Sequence, residues 1–156
     1  QDSEYRVNEI RLLADDRGRL APMTSFANTP YLNELNLLSN MSPLPPDLRL
    51  GAWSRLDQAV NEESVGGGDY YIVSGPVVAD SEATPGRNTS TQFFKVIARD
   101  EQLATFLFPS DIAPHISYCQ FQSSLAELEE LTLIDFFPTY DSAWTEDLAQ
   151  ELGCTQ

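Results

Sequence analysis

Apolar positions along this chain fall into a few runs whose spacing predicts their structure. Residues 4–13, EYRVNEIRLL, mix apolar and charged side chains without a clear period, and LAPMTSF, after a DRGR turn, reads as a short strand or loop. Pro43, Pro45 and Pro46 break the next stretch into a rigid loop. From Leu48 to Glu62, the residues Leu50, Trp53, Leu56 and Val60 recur at helical spacing and predict an amphipathic helix. A glycine-rich turn at Gly66–Gly68 then feeds a β-rich run from Tyr70 to Ser74, expected to stop at Gly75 and Pro76. That triple glycine is a connection rather than a phosphate loop, because no strand precedes it and no Gly-Lys-Ser/Thr follows. Residues 80–90 are a polar loop, residues 91–99 (TQFFKVIAR) and 102–110 (QLATFLFPS) are strands, and residues 123–131 (SSLAELEEL) form a serine-capped helix with Leu125, Leu128 and Leu131 in register. Strands with short antiparallel links stand apart from the helices, which predicts an α+β fold. No repeat or low-complexity tract is present.

Length and composition make this one globular domain: 156 residues, 42% hydrophobic and 10% aromatic, are enough for a sizeable core. No apolar run approaches the ~18 residues a membrane helix needs, so a soluble chain is expected, with any secretion signal already gone. The formal charge of -15 is uneven, since every basic residue lies between Arg6 and Arg99. The last third therefore cannot be a nucleic-acid surface, whereas the arginines of the first 55 residues can make a local positive site on an acidic body. Spacing alone leaves Cys119 and Cys154 open, as one disulfide or as two buried thiols.

Chemistry concentrates in residues 14–22, ADDRGRLAP. Asp16, Arg17, Gly18, Arg19, Leu20, Ala21 and Pro22 match a DRGH-plus-apolar-plus-Pro signature at every position except the histidine. LLSNMSP (37–43) resembles an LSNxxPQ block, and DLRLGAWSRLD (47–57) an LNxGxWxxLE block. YYIVSGPV, FFKVIA and LAELEELTLIDFFP follow in matching order. Together these blocks resemble the DNA/RNA non-specific endonuclease family. The resemblance implies a ββα-metal nuclease fold, a central antiparallel sheet flanked by helices, spanning residues 1–156 as a single domain without the family's longer N-terminal segment. It also implies a Cys119–Cys154 disulfide and a secreted, periplasmic or extracellular protein. Asn88 begins a glycosylation triplet that matters only in a glycosylating source.

In that family a histidine acts as general base and an asparagine holds a hydrated Mg²⁺ that stabilises charge on the phosphate. Carried over position by position, Arg17 keeps the phosphate-binding arginine and Asn40 the asparagine of the SN block. Arg19 stands in place of the base, and a guanidinium with a pKa above ~12 has no lone pair to accept a proton. Arg49 replaces the metal-ligating asparagine with a fixed positive charge. Asp57 replaces a glutamate that orients metal-bound water, and Leu44 replaces a glutamine. Losing a general base alone costs ~10²- to 10⁴-fold. A displaced metal would have to use Asp15, Asp47 or Asp57, and His115, the one histidine, lies outside every block. Asp57 is expected to pair with Arg49 or Arg19.

These substitutions predict a non-catalytic nuclease-fold protein with a binding or assembly role and no cofactor. Its expected partner is a protein or a second copy of the chain, ahead of nucleic acid. One alternative is an active Mg²⁺-dependent endonuclease of DNA and RNA with a displaced base. Another is a structural subunit of an oligomer.

Overall fold

Two antiparallel sheets organise the residues that the computed structural model describes, 17–77, 92–138 and 144–155. The irregular stretch 4–13, Asp15, the polar loop 80–90 and Asn88 lie outside them. The smaller sheet pairs β1 (Arg17–Arg19) with β2 (Met41–Pro43), placing Arg19 opposite Met41. Nothing in the hydrophobic pattern announced this ladder. The larger sheet has the order β3 (Tyr71–Val77), β4 (Gln92–Arg99), β5 (Gln102–Pro109) and β6 (Gln122–Ser123).

Strand β4 is buried from Phe93 to Ala98 because both faces of the sheet are covered. On one face Phe93 and Ile97, with Ala104, Phe106 and Phe108 of β5, pack against Trp53, Leu56 and Val60 and against Leu148 and Leu152 of the C-terminal segment. On the other, Phe94, Val96 and Val77 pack against Leu128. The sheet is thus a middle layer, as the family resemblance implied.

The expected helix over 48–62 is present but broken. Pro46 opens a turn, α1 (Pro46–Leu48), where its fixed φ suits a helix start. The chain continues through Arg49–Trp53 into α2 (Ser54–Val65), and Gly51 leaves the helical region at φ -100°, ψ -117°. A Cβ on Gly51 would stand 2.7 Å from the Pro114 carbonyl oxygen, so glycine lets the loop around Pro114 press against the kink. The kink shifts the helical register: Leu48, Ala52, Trp53, Leu56 and Val60 are buried, while Leu50, expected on the inner face, is 70% exposed.

Strand β3 also departs from expectation, running through Gly75 and Pro76 to Val77 instead of stopping before them. Among the described strands it is an edge, where a proline's missing N–H breaks no ladder bond. LAPMTSF makes a single helical turn, Met23–Phe26, rather than a strand. The serine-capped helix is α3 (Leu125–Thr132), with the Glu127 amide donating to Ser124 Oγ at 3.1 Å; Leu128 is buried and Leu131 exposed. After α4 (Leu148–Glu151) the chain is fastened by a Cys119–Cys154 disulfide with Cα atoms 5.3 Å apart. The Tyr118 hydroxyl donates to the Leu152 carbonyl beside it. No helix among the described residues is long and apolar enough to cross a membrane.

Candidate functional site

Gly18 is the pivot of the DRGR motif. It is buried, and a Cβ there would run into the Leu44 side chain, which is itself fully buried. Close packing of β1 on Leu44 therefore requires glycine and turns Arg19 toward the start of α2. Asn40 holds the chain just beyond. Its amide donates to the carbonyls of Ala21 and Leu35, both at 3.0 Å, and its Oδ1 accepts from the Ala21 amide at 2.8 Å. The backbone adds a bond from the Leu20 amide to the Asn40 carbonyl at 2.9 Å.

Between this clamp and α2 lies a cleft of about 480 Å³. Arg19 and Arg49 line it together with Trp53 and the outer face of α2, formed by Ser54, Asp57, Gln58 and Asn61. The turn at Met23–Phe26 closes one side, because Ser25 donates to Asn61 Oδ1 at 2.7 Å and Asn61 donates to Thr24 Oγ1 at 3.1 Å. Arg19 Nη2 donates to Asn36 Oδ1 at 2.6 Å, while its buried Nε–H has no hydrogen-bond acceptor among the described residues. A neighbouring cleft of about 770 Å³ runs from Asn40 and Ala21 past Asn61 to strand β3.

Below the first cleft sits a buried ion pair. Lys95, on β4 and fully buried, donates to Asp57, whose side chain is only 7% exposed. The partner is therefore Lys95 and not the arginine expected from sequence. Lys95 Nζ also lies 4.1 Å from the centre of the Trp53 ring, a cation–π contact. Burial pushes the Asp57 carboxyl above its ordinary range against the pull of Lys95, and burial lowers the Lys95 ammonium against the pull of Asp57.

The structure thus gathers three of the residues singled out by sequence, Arg19, Arg49 and Asp57, in one cleft and sets Asn40 behind it. Arg17 enters only through its backbone in β1, since its side chain lies outside the described atoms. Asp47 is exposed on α1 and His115 is exposed on the loop before the disulfide; neither lines either cleft. Arg55 points away, donating to the carbonyls of Pro114 (3.0 Å) and Ile116 (2.6 Å), so it positions a loop. Lys95 escaped the sequence reading. Its signal was a single cation inside an otherwise apolar run, which a buried strand tolerates only with an opposite charge facing it.

These donors do not suit a hydrated Mg²⁺. Such an ion needs oxygen ligands, yet Arg49 puts a guanidinium in the cleft, the Asn40 amide is spent on backbone, and Asp57 already answers to Lys95. Among the described residues no three His, Cys, Asp or Glu side chains gather as a metal site.

The family model for DNA/RNA non-specific endonucleases matches residues 2–143. A nuclease of Serratia marcescens is 31% identical over 129 residues, covering 75% of this chain and 48% of that protein. The human mitochondrial nuclease EXOG is 27% identical over 148 residues, covering 80% and 40%. The chain thus spans half or less of the length of these relatives. EndoG, in its crystal structure with EndoGI, has a similar fold, with a TM-score of 0.67 at 22% identity over 90% of this chain and 64% of that one.

Proposed function

The chain belongs to the DNA/RNA non-specific endonuclease family, and from that premise we propose that it is a catalytically silent member whose cleft persists for binding or assembly. One observation carries this reading: Arg19 and Arg49 line the same cleft, and the Asp57 carboxylate that lines it with them is tied to a buried lysine. A guanidinium accepts no proton from water and binds no cation, so the two substitutions remove the base and the metal together. The net charge of -15 repels long polyanions, which favours a protein partner or a second copy over DNA or RNA. The disulfide suits an exported protein.

A second reading has one observation in its favour. Asp57 lines the cleft with its carboxyl raised by burial, and a carboxylate so shifted is a candidate base for a divergent, Mg²⁺-dependent endonuclease. Plasmid and RNA cleavage with Mg²⁺ or EDTA separates the two, using the natural protein beside an Arg19→His, Arg49→Asn double variant. The silent reading expects cleavage from the double variant alone. EDTA-sensitive cleavage by the natural protein that disappears in Asp57→Asn would overturn it.

A further inference from the structure

Strand β3 offers one side of its backbone to the larger cleft. Its ladder pairs Tyr71 with Ala98, Val73 with Val96 and Gly75 with Phe94, and between them Ile72, Ser74 and Pro76 lie opposite Ile97, Lys95 and Phe93. Pro76 has no N–H to give β4, which assigns its row to the outward side. The two-residue turn from Arg99 to Gln102 sets the same phase, since Arg99, Ile97 and Lys95 then exchange their bonds with β5. The N–H and C=O groups of Ile72 and Ser74 therefore point away from the sheet, and no described backbone group meets them. Every residue from Gly68 to Ser74 lines the cleft of about 770 Å³, where a sheet face would contribute alternate ones only, so the cleft runs along the strand's edge. Folded proteins guard open edges with lysine, inward charge or a bulge. Here Tyr71, Ile72 and Val73 are uncharged and 66%, 37% and 41% exposed.

We propose that the β3 edge docks an extended, lysine- or arginine-bearing segment of a partner protein, which adds to the sheet as a further strand. Main-chain bonds to Ile72 and Ser74 hold it, and side chains alternating above and below the sheet meet Tyr71 and Val73 on one face and Ile72 on the other. Charge selects a basic segment. The formal charge of -15 counts every residue of the chain, and the stretches outside the described residues are themselves acidic on balance. Asp69 is the one charged side chain among the described residues that line the cleft. The same charge sets two copies of the chain against each other, which disfavours edge-to-edge pairing of β3 with itself. This inference rests on the binding role proposed above and names the partner's chemistry, but the edge is open whether or not the Arg19 cleft cuts.

Isothermal titration and amide hydrogen exchange test it, with a capped peptide of ~8 alternating lysine and valine residues as the probe. The Ile72 and Ser74 amides are expected to exchange freely in the isolated protein and at least ~10-fold more slowly with saturating peptide. Glutamate in place of the lysines should weaken binding by ~10-fold or more, and so should a rise in salt from ~0.05 to ~0.5 M. Ser74→Pro removes an outward donor and no bond to β4, so it should cut affinity by ~10-fold or more with the far-UV circular dichroism spectrum unchanged. If that variant fails to fold, exchange and the two peptides on the natural protein still decide. Failure of the lysine peptide to bind, equal affinity for both peptides, or full binding to folded Ser74→Pro overturns the proposal. So does protection of Ile72 and Ser74 without peptide: at low concentration it means that the chain covers its own edge, and when it grows with concentration it means a second copy. Plasmid cleavage by the natural protein sinks the silent reading and leaves this inference standing, whereas the failures above sink this inference alone.

Discussion

Replacing Lys95 with methionine removes the ammonium and keeps most of the volume. The natural pair is buried on both sides, with Lys95 fully buried and the Asp57 side chain 7% exposed, so the variant leaves a carboxylate in the core without its cation. Breaking a buried pair in this way costs ~3–5 kcal/mol. With a urea m value of ~2 kcal/mol per molar, the unfolding midpoint should fall by ~1.5–2.5 M. Fluorescence of Trp53, which lies against Lys95, reports the transition, and far-UV circular dichroism checks that it is cooperative. A Lys95→Met, Asp57→Leu double variant should recover to within ~1 kcal/mol of the natural protein, because desolvation opposes the attraction within the pair. Acid adds a signed test. The Asp57 carboxyl is already above its ordinary 3.8, and losing Lys95 removes the cation that pulls it down. A folded pKa above the unfolded one gives stability that is full below 3.8 and lost as pH rises through the folded value. The deficit of Lys95→Met should therefore shrink as pH falls from 7 toward 4. A loss below ~1 kcal/mol, or a double variant as weak as the single one, would refute the argument.

Gly51→Ala should destabilise by ~1–3 kcal/mol in thermal or urea unfolding, since its methyl meets the Pro114 backbone rather than a side chain that can turn aside; unchanged stability would sink the account of the kink. Asn40→Ala strips three hydrogen bonds from the segment after β1, so the Ala21 amide should exchange its hydrogen faster, with a loss of ~1–3 kcal/mol, and an unchanged exchange rate would show that the clamp is not the side chain. Reducing Cys119–Cys154, which are separated by 35 residues, should cost ~4 kcal/mol in the chain-entropy model, read as a lower urea midpoint with dithiothreitol than without.

Local pattern carried the sheet and not the cleft. Strands β4 and β5 were legible because each is an apolar run of strand length bounded by polar residues, and the Ser124 cap because capping is settled within four residues. The kink at Gly51 was hidden, since its cause, the backbone at Pro114, lies far along the chain and no periodicity refers to it. Gly75 and Pro76 misled for a related reason: they break a central strand but not an edge, and edge status is a property of the sheet. Arg19 and Arg49 were brought together on paper by resemblance alone, the β1–β2 ladder that delivers Arg19 having no signature in three-residue strands. Lys95 was passed over in FFKVI, because the partner that lets a cation sit in that apolar run lies on another element.

Helix α2 separates two kinds of duty by angle. Its inward side, Leu56 and Val60, is held by the sheet, and its outward side, Ser54, Asp57, Gln58 and Asn61, faces the cleft. Asp57 is the one member of that outward row anchored below, through Lys95. Selection can therefore rewrite the rim of this pocket one side chain at a time while the layers beneath keep their shape. A lineage that gives up one chemistry on such a helix still inherits a formed concavity in which another can begin.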